Sequence, residues 1–227
     1  MRERPENPLV VAIDCSDLGE AERLAEAVSG EVGLLKVGLE LFWAHGPEAV
    51  RRVGSHGPVF VDAKLHDIPN TVERAAANIA RLKVAMLSVH ALGGEEMMHA
   101  AVEGAARGSD EAGHTMPLVL AVTVLSSHAH RGPASAASLA RLARGAGLHG
   151  VVASGEDVGS VRAACGDGFC LVVPGIRPRG VDHHDQMRVL TPREAVEAGA
   201  DYLVVGRPIS GSKDPAAAAR ALLAQLR

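Results

Sequence analysis

The feature that most constrains the fold is an alternation of short, β-branched apolar runs with longer, Ala-rich amphipathic stretches. This alternation is expected of βα units that build a parallel sheet. The runs span residues 9–14, 33–38, 58–64, 86–91, 117–124, 150–154, 170–174 and 202–206. Eight such units fit an α/β fold of the (β/α)8 TIM-barrel type, which needs about 200–250 residues. We therefore predict one barrel domain over residues 1–227, with an open doubly wound sheet as the alternative.

Composition excludes several classes of function. Only 2% of the 227 residues are aromatic, so stacking on nucleic-acid bases is not expected. The formal net charge is −4 without long runs of one sign, which argues against nucleic-acid or membrane-surface binding. The chain shows neither a long apolar span nor the apolar core of a signal peptide, and we expect a cytoplasmic protein. The three cysteines, without a CxxC, predict neither a disulfide framework nor a zinc site.

Polar side chains end several of the predicted strands. They are Asp14, Lys36, Asp62, Lys64, His90, Thr123, Ser126 and Arg207. The carboxyl ends of barrel strands share one rim, and the catalytic groups of barrel enzymes come from that rim. The pattern therefore predicts an enzyme with its site there. The longest polar loops, 127–134 and 177–187, are candidate lids.

The segment 59–72 carries the densest set of chemical groups. Asp62 and Lys64 are two apart on a strand and should point to the same face, near the mouth of the barrel. A structural ion pair is the plain alternative. Lys36 and Asp14, however, end the two preceding strands and would join the same array. A buried ion pair often stabilises a protein no more than apolar packing at the same place would. Four buried charges therefore favour a functional over a structural role.

Asp67 lies beyond the end of that strand, where the chain turns toward a helix. A simple turn or capping role is one explanation, because aspartate is favoured in such turns. Asn70 is predicted to cap the following helix, with Glu73 at its third position.

The motif Asp62-x-Lys64-x-x-Asp67-Ile68-Pro69-Asn70-Thr71 resembles the signature of the orotidine 5′-phosphate decarboxylase family. The resemblance extends along essentially the whole chain. Further matching segments follow in the family's order at residues 35–38, 89–91, 122–126, 173–178 and 205–209. The resemblance implies a (β/α)8 homodimer that converts orotidine 5′-phosphate to uridine 5′-phosphate and CO2 in pyrimidine biosynthesis, without metal or organic cofactor.

The resemblance also implies roles for single residues. Lys64 matches the lysine that protonates C6 of the pyrimidine, and Asp62 matches the carboxylate set against the departing CO2. Lys36 with Asp14 matches the pair that orients the array and contacts the ribose. Asp67 matches the aspartate that crosses the dimer interface to complete the partner's site.

The remaining predicted contacts concern phosphate, base and ribose. Gly206 and Arg207 follow the eighth strand, where many barrels bind phosphate and where arginine offers a forked, charged contact. The other matches to family positions are Arg177 and Gln186 over the phosphate, Ser126 or alternatively Ser127 at the base, and Asn70 and Thr71 at the ribose.

Two other functions deserve comparison. The magnesium-dependent 3-keto-L-gulonate 6-phosphate decarboxylases and hexulose phosphate synthases share Asp-x-Lys-x-x-Asp, but they carry a glutamate ligand near the position of Lys36 and lack the segment 68–71. The second alternative is a non-catalytic nucleotide-binding barrel. The histidines in and near the loops (His66, His128, His130, His183 and His184) show no metal-binding spacing, and no metal site is predicted.

Overall fold

The computed structural model describes residues 5–124, 135–177 and 190–226. Eight parallel strands close into a barrel in the order β1 to β8, with β8 pairing back onto β1. The barrel prediction is confirmed, and the open sheet is wrong. The strands are β1 Leu9–Ile13, β2 Leu34–Val37, β3 Val59–Leu65, β4 Met86–His90, β5 Leu118–Val122, β6 Gly150–Val152, β7 Cys170–Val173 and β8 Tyr202–Val205.

Helices follow the strands and surround the barrel. They are α1 Leu18–Ala27, α2 Leu39–His45, α3 Pro47–Gly54, α4 Pro69–Ala80, α5 Gly94–Ala112, α6 Ala136–Gly145, α7 Val158–Cys165, α8 Pro192–Glu197, α9 Arg207–Ser210 and α10 Pro215–Ala224. Among the described residues, no helix combines the length and apolar character that crossing a membrane requires.

Side chains alternate between the two sides of the barrel wall, as the two-residue period of a strand requires. In β1, Leu9, Val11 and Ile13 belong to the large apolar cluster shared with the helices. Val10 and Ala12 belong to a smaller cluster of strand residues inside the barrel. Its buried members are Val10, Ala12, Leu34, Phe60, Met86, Leu120, Cys170, Val172 and Val204. Because these side chains fill the interior, a ligand has to bind at the rim.

Helices α4 and α5 approach so closely that two positions of α5 accommodate only glycine. A Cβ at Gly104 would lie 2.0 Å from the carbonyl oxygen of Glu73, and a Cβ at Gly108 would lie 2.2 Å from that of Ala77. The two glycines are four residues apart and therefore share one face of α5. This packing sets the position of α4, which follows directly from the charged end of β3.

Gly104→Ala should destabilise the fold, because the added methyl group meets backbone that would have to shift. Overpacking of this kind lowers the free energy of unfolding by about 1–3 kcal/mol. The matched control is Gly159→Ala in α7, where a Cβ would meet nothing within 4 Å, so its stability should be equal or slightly higher. Urea unfolding followed by circular dichroism measures both. An unchanged midpoint for Gly104→Ala would contradict the close contact.

Candidate active site

The inward-facing positions of the first four strands become polar as they reach the rim. Val10 and Ala12 face the interior of the barrel, and Asp14 continues their alternation just past the end of β1. Lys36 stands beside Ala12 in the register of β1 with β2. The interior pattern of β3 likewise leads to Asp62, and that of β4 leads to Ser88. Neighbouring strands thus bring these side chains to one side of the rim.

Four charged side chains form a continuous array of alternating sign. The Lys36 ammonium lies 3.1 Å from Oδ1 of Asp14 and 3.8 Å from Oδ2 of Asp62. The Lys64 ammonium donates to the same Asp62 oxygen at 2.5 Å. The predicted array of Asp14, Lys36, Asp62 and Lys64 is therefore brought together by the fold. Its two lysines balance its two aspartates in formal charge.

The middle of this array is buried, while its ends are more open. Lys36 and Asp62 are both 8% exposed. Burial by itself raises the pKa of the Asp62 carboxyl, since the charged form loses water. The Lys36 and Lys64 ammonium groups more than reverse this effect, with help from hydrogen bonds donated by Lys64 and Ser88, and the pKa of Asp62 lies below its usual range. Asp62 is thus a carboxylate at neutral pH.

The backbone at the end of β3 departs from a regular strand. Lys64 has φ of +49°, in the left-handed region that residues with a Cβ rarely adopt. The pairing of β3 with β4 shifts register between Val61 and Leu65. The prediction that Asp62 and Lys64 lie together is confirmed. The simple strand alternation behind it is wrong at Lys64, where the chain bulges.

Two residues beyond the predicted set take part in this array. The buried hydroxyl of Ser88 donates to Oδ1 of Asp62 and accepts a hydrogen bond from the backbone N–H of Lys64. Gly38 makes room for the ion pair, because a Cβ there would lie 3.1 Å from both Oδ1 of Asp14 and Nζ of Lys36. The sequence carries a signal for Ser88, since it is a polar residue between apolar neighbours at an inward position of β4, the strand next to Asp62.

Asp67 and the start of α4 lie on the surface next to the array. Oδ1 of Asp67 accepts a hydrogen bond from the backbone N–H of Ile68 at 2.7 Å. Among the described residues, Asp67 forms no salt bridge with a lysine or arginine, and it is exposed. The prediction that Asn70 caps α4 is wrong. The cap position is Ile68, which has no side chain to accept a hydrogen bond, and the helix begins at Pro69 with its preset φ.

Two of the predicted phosphate residues, Gly206 and Arg207, lie where β8 meets β1. The position that a Cβ would take at Gly206 is 4.0 Å from Oδ2 of Asp14, so this turn borders the charged array. Arg207 begins α9 and is exposed. Arg177 is only 6% exposed and donates to the carbonyl oxygen of Ile176. The phosphate-binding roles of these residues stay predictions.

The structure describes only some of the remaining predicted residues. Asn70 and Thr71 are exposed in the first turn of α4. Ser126, Ser127, Gln186, the loop 127–134 and most of the loop 177–187 lie outside the described residues, as do His128, His130, His183 and His184. His66 stacks on His90, with ring centroids 5.4 Å apart. In the part of the chain that the structure describes, no group of three or more His, Cys, Asp or Glu side chains is arranged to hold a metal ion.

Fold and rim together define a class of protein. It is a (β/α)8 barrel enzyme whose candidate active site is a partly buried Asp-Lys-Asp-Lys array at the carboxyl ends of adjacent strands. The chain belongs to the orotidine 5′-phosphate decarboxylase / HUMPS family, whose model matches residues 7–222.

Similar proteins carry the first of these two family names. An orotidine 5′-phosphate decarboxylase of Anaeromyxobacter sp. (strain K) is 53% identical over 226 residues, which cover 98% of this chain and 100% of that protein. One from Moorella thermoacetica is 45% identical and covers 100% of this chain and 94% of its own length. The crystal structure of orotidine 5′-phosphate decarboxylase from Lactobacillus acidophilus superposes with a TM-score of 0.83 at 34% identity, covering 98% of this chain and 100% of that one.

Proposed function

We propose that this chain is an orotidine 5′-phosphate decarboxylase, which converts orotidine 5′-phosphate to uridine 5′-phosphate and CO2 in pyrimidine biosynthesis. The observation that carries the proposal is the Lys64 ammonium, held at 2.5 Å from the Asp62 carboxylate in a partly buried array. This is the arrangement that the reaction needs, because it places a proton donor and a charge stabiliser beside a fixed negative charge.

The chemistry follows from these two groups. The bond between C6 and its carboxylate breaks, CO2 leaves, and the electron pair of that bond stays on C6. The pyrimidine ring cannot spread that charge by ordinary resonance, so a preplaced ammonium stabilises it electrostatically. Lys64 then donates a proton to form the C6–H bond and recovers a proton from solvent. Asp62 repels the substrate carboxylate, and this repulsion ends when the neutral CO2 departs.

The other residues of the rim serve binding in this proposal. Lys36 and Asp14 orient the array and contact the ribose. Gly206 and Arg207 bind the phosphate, and the same role is assigned to Arg177 and Gln186. Ser126 contacts the base, while Asn70 and Thr71 reach the ribose of the partner's site. Phosphate binding far from C6 supplies energy that is expressed in the transition state when the loops close.

A homodimer with shared sites is part of the proposal. Several large apolar side chains remain exposed on segments that follow the neighbouring strands β2, β3 and β4. Trp43 is 80% exposed, Ile68 65% and Leu92 61%. In the proposed dimer the partner covers these side chains, since exposed apolar patches mark protein interfaces. Asp67 is adjacent to Ile68 on this surface, so a partner that covers Ile68 also receives Asp67.

The structure offers a physical reason to prefer this reaction over the magnesium-dependent ones. The Lys36 ammonium lies between the carboxylates of Asp14 and Asp62. A Mg²⁺ ion at this place would need the two carboxylates as oxygen ligands. The cationic side chain of Lys36 already occupies the space between them. A cytoplasmic location and the absence of nucleic-acid binding stay expectations from composition and charge.

Ultraviolet absorbance of orotidine 5′-phosphate, recorded with a chelator present, tests the proposed function. We expect the substrate signal to decay at the same rate with and without chelator. Loss of activity that Mg²⁺ restores would favour the magnesium-dependent reading. Tight binding of uridine 5′-phosphate without CO2 release would instead indicate the non-catalytic barrel.

A further inference from the structure

Ser88 contacts both the side chain of Asp62 and the backbone of Lys64. Among the residues that the structure describes, no other hydroxyl makes both contacts. Ser88 lies on β4, next to β3, and is 0% exposed. Its hydroxyl donates to Oδ1 of Asp62 at 2.8 Å and accepts from the backbone N–H of Lys64 at 3.0 Å. One donor and one acceptor lone pair of this hydroxyl are thus used within the charged array.

The bond to Lys64 acts on an unfavourable backbone conformation. Lys64 has φ of +49°, and left-handed conformations are disfavoured for residues that carry a Cβ. The regular ladder between β3 and β4 is interrupted at this point, so that the Lys64 N–H needs another acceptor. The Ser88 hydroxyl is that acceptor, and it thereby stabilises the bulge that directs the Lys64 side chain.

The bond to Asp62 fixes the orientation of the carboxylate. Both ammonium groups approach Oδ2 of Asp62, Lys64 at 2.5 Å and Lys36 at 3.8 Å. Oδ1 is bound by Ser88. Without that donor, the carboxylate could rotate about its terminal torsion, which is intrinsically soft, and Oδ2 would lose its fixed place between the two lysines.

We propose that Ser88 is a positioning residue for the decarboxylation: its single hydroxyl holds the Asp62 carboxylate and the Lys64 backbone in the geometry that the reaction uses. This inference rests on the proposed function and adds to it a residue outside the family motif. Ser88 acts through Asp62 and Lys64 and is assigned no contact with substrate.

Ser88→Ala tests the proposal. Hydrogen bonds to charged groups are among the stronger ones, so we expect kcat to fall about tenfold to a hundredfold. KM and the Kd of uridine 5′-phosphate should change by less than about threefold, because the groups assigned to phosphate and ribose are untouched. A purely structural role would not produce this separation of kcat from KM.

The matched control is Ser109→Ala in α5. Ser109 is also 0% exposed, and its hydroxyl donates to the carbonyl oxygen of Ala105. The control should keep the kcat of the parent chain. If Ser88→Ala does not fold, Ser88→Cys replaces it, since a thiol has similar size but is a weak hydrogen-bonding group.

The outcomes separate this inference from the proposed function. A parent chain without decarboxylase activity would refute the proposed function itself. An active parent, together with a folded Ser88 variant whose kcat is within twofold of it, would overturn the role of Ser88 alone. Failure of both Ser88 variants to fold would assign the serine to folding and overturn the proposal as well. Reduced kcat with unchanged KM, and an unaffected Ser109→Ala, would support it.

Discussion

Lys64→Ala should abolish turnover while leaving the barrel folded. The substitution removes both the proton donor and the positive charge that stabilises the carbanion at C6. General acid catalysis alone contributes about 10²–10⁴ in rate, and the electrostatic effect adds to it, so we expect kcat to fall by at least about 10³. The fold should persist because Asp62 keeps the Lys36 ammonium and the Ser88 hydroxyl as partners.

Lys83→Ala is the matched control for this experiment. Lys83 is an exposed lysine that, like Lys64, has a positive φ, at +59°. It lies in the turn between α4 and β4, at the opposite end of the barrel from the rim. Both variants therefore place alanine at a left-handed position, and only one removes a charge from the site. Single-turnover kinetics and urea unfolding are the measurements. A Lys64→Ala enzyme with kcat within tenfold of the parent would remove Lys64 from its assigned role.

Mixing two inactive variants should restore activity if Asp67 serves the partner's site. Asp67→Asn and Lys64→Ala should each be nearly inactive alone. In a mixed dimer, Lys64 acts within its own subunit and Asp67 acts across the interface. One site of that dimer then carries both lesions, and the other carries neither. The exposed position of Asp67, without a lysine or arginine partner among the described residues, is consistent with this exchange.

The size of the recovery follows from the symmetry of a dimer. Random exchange of equal amounts puts half of the dimers in the mixed form, each with one intact site of two, so activity should approach about one quarter of the parent value. Lys64→Ala mixed with Asp62→Asn is the control, since both lesions act in cis and no intact site can form. If subunits exchange and the Asp67→Asn mixture stays as inactive as its components, Asp67 acts in its own subunit or only as a turn residue.

Much of the architecture was predictable because it depends on short-range periodicity. Short, continuous runs of apolar, β-branched residues located all eight strands to within about two residues at each end. Polar residues at the ends of these runs predict the rim, because the carboxyl ends of parallel strands meet on one side of a barrel. The polar ends of the first three strands therefore predict the rim residues Asp14, Lys36, Asp62 and Lys64.

Local pattern reasoning failed at two positions, Asn70 and Lys64. Asn70 looked like a helix cap by composition, but Pro69 starts α4 and leaves Ile68 in the cap position. The regular alternation of β3 predicted the right neighbours for Lys64 but not its left-handed backbone. That conformation depends on a hydroxyl from the next strand, which a reading of segment 59–72 alone does not include.

The sequence by itself determined the repeat of eight βα units, the family motif and the four charged residues of the array. Each of these is recognised within a short stretch of chain, as the apolar run of one strand, the polar residue at its end or the spacing inside the motif. Only the tertiary structure decided which hydroxyl binds Asp62 and why α5 needs Gly104. Ser88 and Asp62 are 26 residues apart, and their contact depends on the register of β4 against β3. Such contacts arise from strand pairing and helix packing across the fold, where a shift of one residue would turn the side chain to the other face.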